Sequence, residues 1–450
     1  MTFLEKTWLA LRVIRDSKGM RERLRTLRRF IRLALQKRAG NPGHNPAADV
    51  ELAVWAEHTL LTFTDRVVNV RLDARGESRV WFILPELDPT MIFGGYIALF
   101  QFIAHLQSKG LTTGLIIQKN IGTKASLQEA FRQNPLVHDV IKRSALTSLG
   151  ASHTLRLHPD DALVAYNWTT ALIAQKACQF LHDRNFHYFV QEDERIFYPN
   201  DSTRYLAESV FHFKPRLICN SAALRAHFER EDLLSSEMDC AVFEQGIPVQ
   251  TLPDANAISA RKSRKLLFYG RPEDHAKRNL FTVAIMALER AIASGAFPAD
   301  QWTLYMMGSK AMGDNFSIGG RKVACLPKMD YADYLAALPT FDLGMCLMYA
   351  PHPSVPPFEM VRASLVTVVN QFRDRDSAWY ADISANFVVG NPTAQGIASA
   401  LEVAAGKVND GSRRVAAAHS YHPTSWDESF ASVTSQLRHP AFRFASQLAA

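Results

Sequence analysis

Between Lys265 and Glu359 the chain twice runs a hydrophobic strand into a short loop and then into a helix. The first strand ends in Leu266-Leu267-Phe268-Tyr269-Gly270-Arg271-Pro272, and a basic pair, Lys277 and Arg278, follows. The second, Phe341–Met348, leads into Ala350-Pro-His-Pro-Ser-Val-Pro-Pro-Phe-Glu359. Strand, helix and strand in alternation close as a parallel sheet, because parallel neighbours need a long crossover. Such sheets take ligands at the C-terminal ends of their strands, where both turns belong. One turn is cationic and the other carries a carboxylate. That pairing suits a nucleoside diphosphate, with phosphates on the first turn and ribose hydroxyls on the second.

The same alternation occurs earlier. Arg79–Leu84 reads as a strand, followed by a loop to Gly94 and Gly95, a helix over Tyr96–Lys109 and a strand over Leu115–Gln118. Further strands are expected at Ala162–Tyr166, His187–Gln191, Arg216–Asn220 and Cys240–Phe243. A polar connection over 248–264 precedes the second set: Lys265–Tyr269, Trp302–Met307, Lys322–Cys325, Phe341–Met348, Leu365–Asn370 and Ala385–Val389. A chain of 450 residues exceeds one ordinary core. The expected class is therefore α/β, with two Rossmann-like domains of parallel sheets. The divisions are 1–48 (basic amphipathic helix and linker), 49–255 (first domain), 256–415 (second domain) and 416–450 (a helix crossing back to the first domain).

The charge is unevenly placed. Residues 1–40 hold twelve Lys and Arg against three Asp and Glu, or +9 of a net +7, so the remaining 410 residues sum to −2. Met20, Leu24, Leu27, Ile31 and Leu35 recur at helical spacing, with Arg21, Arg25, Arg28, Arg29 and Arg32 between them. Such a helix over 3–38 either lies on an anionic membrane surface or packs its apolar stripe on the protein's own body. Nucleic acid is not expected, because no aromatic platform accompanies the charge. No apolar run is long enough for a transmembrane helix and the N-terminus lacks a signal-peptide layout. The five cysteines form no C-x-x-C pair, which argues for reduced thiols, a cytoplasmic setting and no zinc site.

Several residues could carry chemistry. Gly270 lets backbone approach a ligand, Arg271 can bind phosphate through two parallel hydrogen bonds, and Lys277 and Arg278 lie near a helix start. Glu359 follows two prolines suited to a first helical turn, and His352, Pro353 and Ser354 precede it on the loop. Glu359 could instead simply offset the helix dipole. Gly94 and Gly95 open the backbone after a strand, and Trp168 and Thr169 begin a helix after another. His153, Asp161, Glu192, Asp193 and Glu194 are acid–base candidates, since sugar transfer with inversion needs one carboxylate or His as base. Each could equally be a solvated loop charge. Asp374-Arg375-Asp376 spells D-x-D in a charged loop and reads as solvated.

The order Phe-Tyr-Gly-Arg-Pro (268–272), Arg278-Asn-Leu-Phe281 and Pro351-His-Pro-Ser-x-Pro-Pro-x-Glu-Met360 resembles GT-B glycosyltransferases. Among them it is similar to bacterial rhamnosyltransferases that build surface polysaccharides and S-layer glycans, as are Trp168-Thr-Thr-Ala171, Tyr188-Phe-Val-Gln191 and Phe197-Tyr-Pro199. The resemblance implies an acceptor domain followed by a donor domain. It implies that Arg271 and Lys277 bind the donor diphosphate, Glu359 the ribose, and the loop Leu326–Tyr331 the base, so that Tyr331 is a donor contact. Gly94, Gly95, Trp168 and Thr169 would then meet the acceptor, and Glu192 or His153 would be catalytic. It further implies dTDP-L-rhamnose as donor co-substrate, a glycan or lipid-linked oligosaccharide acceptor, and no cofactor or bound metal. There are departures. Many relatives carry a second glutamate eight residues before the ribose one, where this chain has Pro351, and the subfamily usually has Gln-Asp where this chain has Gln191-Glu192. A nucleotide-sugar epimerase and a non-catalytic glycan-binding protein share the architecture and remain alternatives.

Overall fold

The computed structural model describes residues 69–437 and Phe442, apart from 93, 120, 150–153, 249–250, 310–315 and 328. The basic segment 3–38 and His153 lie outside the described residues. The first sheet contains β1 (Val80–Leu84), β2 (Thr113–Ile117), β3 (Ala145–Ser148), β4 (Ala162–Ala165), β5 (His187–Val190), β6 (Arg216–Asn220) and β7 (Cys240–Phe243). Their spatial order is β3-β2-β1-β4-β5-β6-β7, and every pairing is parallel. The order reverses between β1 and β4, which opens a crevice beyond their C-terminal ends.

The second sheet contains β8 (Arg264–Tyr269), β9 (Trp302–Met307), β10 (Phe316–Ile318), β11 (Arg321–Cys325), β12 (Leu343–Cys346), β13 (Val366–Asn370) and β14 (Phe387–Gly390). Its order is β10-β11-β9-β8-β12-β13-β14. Here the reversal falls between β8 and β12, whose register runs Leu266↔Leu343 to Tyr269↔Cys346. The two expected parallel sheets are therefore present. The sequence pattern did not reveal β3 or the antiparallel edge strand β10. That edge is a hairpin on Gly319 and Gly320, both with positive φ (54° and 73°), as a two-residue turn of this hand requires.

Near-continuous apolar strands reflect burial on both faces. β1, β2 and β13 are buried at every position. Each large apolar side chain so enclosed stabilises by about 1.5–3 kcal/mol. Phe102 stacks on Phe189 (centroids 5.5 Å apart), Phe189 on Phe243 (5.0 Å), and Phe430 closes over Phe102 and Phe243 (5.1 and 5.3 Å). Phe430 belongs to the helix Trp426–Gln436, so the chain returns to the first sheet after completing the second. Ser429 Oγ fastens that return by accepting the N–H of Glu244 (2.7 Å) and donating to its carbonyl (2.9 Å). Trp81 lies across its β2 partner Gly114, where a Cβ would fall 2.2 Å from the indole, so only glycine fits.

At the N-terminal end of the second sheet, Asp342 is fully buried beneath three arginines. Its Oδ1 receives Arg261 (2.9 Å), Arg414 (3.0 Å) and Arg264 (3.3 Å), and its Oδ2 accepts the N–H of Lys265 (2.9 Å). Among the described residues no helix is long and apolar enough to cross a membrane.

Candidate active site

The turns that follow β8 and β12 flank the reversal in the second sheet. After β8, Gly270 donates its N–H to the carbonyl of Met307 (2.8 Å). A Cβ there would sit 2.7 Å from the Phe268 ring and 3.0 Å from Met306 sulfur, so the close approach requires glycine. A tight turn, Asp274–Asn279, then carries the basic residues, and Leu280 with φ 51° redirects the chain into the helix Phe281–Ala293. Arg271 meets His275 (Nη2 to Nε2, 2.8 Å), with Glu273 at 3.8 Å. Arg278 is half-buried, donates to the carbonyl of His275 (2.9 Å) and lies 4.8 Å over the Phe197 ring from the first half of the chain. Burial pushes the Arg278 pKa down, Glu192 opposes that shift, and Arg271 adds to it. Lys277 points elsewhere: it is exposed and pairs with Asp274 at 3.0 Å.

After β12 the loop 350–354 is held from beneath by Arg375, a buried side chain that donates to the carbonyl of Ala350 and to the Tyr380 hydroxyl. His352 Nδ1 accepts the N–H of Ser354 (3.1 Å), whose φ of 68° turns the chain. Burial, reinforced by Arg375 and Arg278, pushes the His352 pKa down to about 3, so the ring is neutral at physiological pH. Pro353 is buried beside it. Pro356 and Pro357 open the helix Pro356–Arg362, and Glu359 in its first turn is enclosed. The Glu359 carboxylate accepts the hydroxyls of Tyr331 (2.6 Å) and Tyr334 (2.9 Å), and burial outweighs these bonds in raising its pKa. Tyr334, three residues beyond Tyr331 on the helix Tyr331–Ala337, shares its face. That spacing was available in the sequence as a signal.

The loop after β5 divides three adjacent acids by environment. Burial opposes ionisation of Asp193, but bonds from His227 (2.8 Å) and Arg195 (2.9 Å) prevail and lower its pKa to about 2. Glu194 accepts the N–H of Trp168 and the hydroxyl of Tyr188 (both 2.6 Å), and burial raises its pKa to about 7. Burial likewise raises Glu192 to about 7, against the Asp193 N–H and the pull of Arg278. Glu192 Oε1 accepts the N–H of Asp193 (3.0 Å) and, across the crevice, that of His352 (3.2 Å).

The remaining candidates surround this point unevenly. Gly94 begins the helix Gly94–Ser108, with the space for its missing Cβ 3.9 Å from Val355. The corresponding space at Gly95 is 2.9 Å from the Tyr166 hydroxyl and 3.4 Å from Gln191. Trp168 opens the helix Trp168–Cys178, but its indole is enclosed and donates to the Tyr198 hydroxyl (3.0 Å). The Thr169 hydroxyl donates to Asn167 (3.0 Å). Asp161 lies before β4, at the opposite end of the sheet, binding the N–H groups of Arg79 and His158 and the Trp81 indole. In the D-x-D segment Asp376 caps the helix Ser377–Ile383, and Asp374 pairs with Arg230 at the end of the helix Ala222–Arg230. The neighbouring pair, Arg373 with Glu231 (2.9 Å), crosses the same gap. In the sequence Arg375 and Asp374 belonged to a D-x-D read as solvated and Phe197 only to a family-like stretch, because their contacts come from segments distant in the chain.

A family profile described as WsaF, N-terminal domain, matches residues 79–220, and one described as WsaF, C-terminal domain, matches residues 264–402. The O-antigen biosynthesis protein RfbC of Myxococcus xanthus is 25% identical over 370 residues, 80% of this chain. The chain spans about a quarter (27%) of that relative's length. The Candida albicans trehalose-6-phosphate phosphatase N-terminal domain is structurally similar, with a TM-score of 0.52 and 12% identity over 82% of this chain and 98% of that one. The α,α-trehalose 6-phosphate synthase of Burkholderia multivorans aligns with a TM-score of 0.50 and 12% identity, over 83% of this chain and all (100%) of the other. Likeness at such identity speaks for the fold alone. With both WsaF domains matched in order over more than half its length, the chain belongs to the WsaF family and has the GT-B glycosyltransferase fold.

Proposed function

We propose that this chain is a glycosyltransferase that moves a sugar from a nucleoside diphosphate to a hydroxyl of a glycan acceptor, with rhamnose from dTDP-L-rhamnose as the leading donor. The carrying observation is the meeting of Glu192 with the loop at His352 beside Arg278. It sets a buried carboxylate, its pKa raised by burial, against the positive charge at the sheet reversal. In this reading the acceptor hydroxyl gives its proton to Glu192 as its oxygen bonds to the sugar's anomeric carbon. The bond from that carbon to the diphosphate oxygen breaks, and the electron pair leaves with the nucleoside diphosphate. Arg271 and Arg278 offset the charge developing there, an electrostatic effect that can be worth several kcal/mol. Tyr331 and Glu359 bind the nucleoside end. A direct displacement of this kind inverts the anomeric centre.

The WsaF match and the similarity to the Myxococcus O-antigen biosynthesis protein support a bacterial surface glycan as acceptor. The basic segment 3–38 would hold the enzyme on an anionic membrane surface. A donor panel, read by release of dTDP, UDP or GDP, tests the reaction. Release from at least one sugar nucleotide, strongly reduced at subsaturating donor in both Arg271→Ala and Glu359→Ala, is the expected result. Unchanged release in both variants overturns the site assignment. Deletion of residues 1–40 should abolish binding to phosphatidylserine vesicles, and equal binding refutes the membrane role.

A further inference from the structure

Beside the Glu192 carboxylate the ends of three adjacent strands bring together three amides that the reaction above does not use. Gln191 follows β5, Asn220 ends β6 and Gln245 lies two residues beyond β7. Asn220 Nδ2 donates to Gln191 Oε1 (2.9 Å) and to Gln245 Oε1 (3.4 Å). This leaves Gln191 Nε2 and Asn220 Oδ1 buried with no hydrogen-bond partner. Asn220 is 2% exposed, and Gln191 is half-buried. Exchanging nitrogen and oxygen in all three amides keeps both contacts and leaves the same inventory, an unfilled amide donor and an unfilled carbonyl acceptor. Buried groups left unpaired are destabilising, and two of opposite kind on adjacent strand ends at the crevice are suited to a ligand that supplies the missing bonds.

We infer that Gln191 and Asn220, braced by Gln245, form a subsite for one hydroxyl of a neutral sugar on the acceptor. The inference rests on the glycosyltransferase reading and names its acceptor contacts. A hydroxyl gives and takes a hydrogen bond at once, matching one free donor beside one free acceptor. A phosphate or carboxylate fills only donors and would meet the Asn220 carbonyl. The cationic groups suited to phosphate, Arg271 and Arg278, lie on the second half of the chain. Gln191 precedes Glu192 in the chain, and Gly95 approaches the Gln191 side chain closely, its Cβ position lying 3.4 Å from Gln191 and 2.9 Å from the Tyr166 hydroxyl. A sugar gripped by the amides would therefore present a neighbouring hydroxyl to the Glu192 carboxylate.

The test uses the full chain and a panel of methyl pyranosides, with methyl α-L-rhamnoside among them, read by saturation-transfer NMR. Nucleoside diphosphate binding is measured in parallel by calorimetry. At least one glycoside is expected to bind the wild type and to bind Asn220→Ala and the near-isosteric Gln191→Met about tenfold to a hundredfold more weakly, the loss of one or two hydrogen bonds. Nucleotide affinity should stay within about twofold, since the variants leave the donor turns intact. A monodeoxy analogue lacking the gripped hydroxyl should lose affinity for the wild type but not for Gln191→Met, an effect that a merely structural amide does not produce. Should Asn220→Ala fail to fold, Gln191→Met alone decides. Unchanged glycoside affinity in the folded variants overturns the subsite, as does an equal loss of nucleotide and glycoside binding. Failure of every glycoside to bind while dTDP or UDP binds also overturns it. Failure of every nucleotide to bind, with glycoside binding still sensitive to Gln191→Met, would instead overturn the glycosyltransferase reading and keep the subsite.

Discussion

Glu192 Oε1 accepts the backbone N–H of His352 at 3.2 Å, joining the loop after β5 of the first sheet to the loop after β12 of the second. The carboxylate is buried, and that burial holds its pKa at about 7. His352, lowered to about 3, contributes no competing positive charge at neutral pH. The pair sets a proton acceptor beside the arginines that suit a leaving diphosphate.

If Glu192 is the base, only its ionised form works. Activity as kcat/KM should then climb as pH rises through about 7. Glu192→Gln should cut the rate by about 10²–10⁴ and remove that limb of the profile. Steady-state rates between pH 5.5 and 8.5, as about a dozen points, check both. A profile unchanged in the variant would assign the proton elsewhere.

The same shift has a consequence for stability. A carboxyl whose folded pKa lies above its unfolded value contributes stability below the unfolded value, and that contribution is lost as pH rises through the folded one. The window runs from the ordinary glutamate value of 4.5 to about 7 and applies to both Glu192 and Glu194. Glu192→Gln should therefore gain stability relative to the parent on going from acidic to neutral pH. Thermal melts at both ends of the window measure the gap.

Buried Asp342 balances three arginines, of which Arg414 is fully buried and Arg261 partly exposed. Asp342→Asn leaves Arg414 buried without an anion and should cost about 3–5 kcal/mol, the price of an uncompensated buried charge. A drop in thermal midpoint on the order of 10 °C is expected. Nucleotide binding by the protein that remains folded should be unchanged, because this cluster lies at the strand ends remote from the crevice.

Arg230 with Asp374 and Glu231 with Arg373 are reciprocal pairs between the end of one helix and the loop after β13. Exposed pairs of this kind contribute about 0.2–1 kcal/mol each and weaken with salt. Asp374→Arg should lower the thermal midpoint at low ionic strength. Adding Arg230→Glu should restore part of the loss, and the restoration should vanish near 1 M salt. Absence of any rescue at low salt would show that the pair carries no coupling.

Glu359 is expected to lose its nucleotide contact on truncation. Glu359→Ala should weaken dTDP or UDP binding by about tenfold to a hundredfold, the value of one charged hydrogen bond. Tyr334→Phe should have a smaller effect, since Tyr331 still holds the carboxylate. Isothermal titration with each nucleotide distinguishes the two.

The sequence by itself determined the alternation of strands and helices, because apolar runs buried on both faces and glycine-bearing turns are local properties of the chain. It placed the turns at Gly270 and Ala350 and the acidic loop at Glu192 on strand ends, and β8 and β12 proved to flank the reversal of the second sheet. It did not reveal β3, whose four residues are all only half-buried, or the helix Ser377–Ile383, too short for a clear period. Arg375 looked like the middle of a solvated D-x-D because its burial comes from a loop twenty-five residues away in sequence. Tertiary structure alone decided that Lys277 faces outward while Arg278 faces Phe197, since a tight turn sends adjacent side chains to different sides. It alone brought Glu192 to His352, 160 residues apart. It alone left Gln191 Nε2 and Asn220 Oδ1 unfilled, because burial and hydrogen bonding are settled by which strands become neighbours.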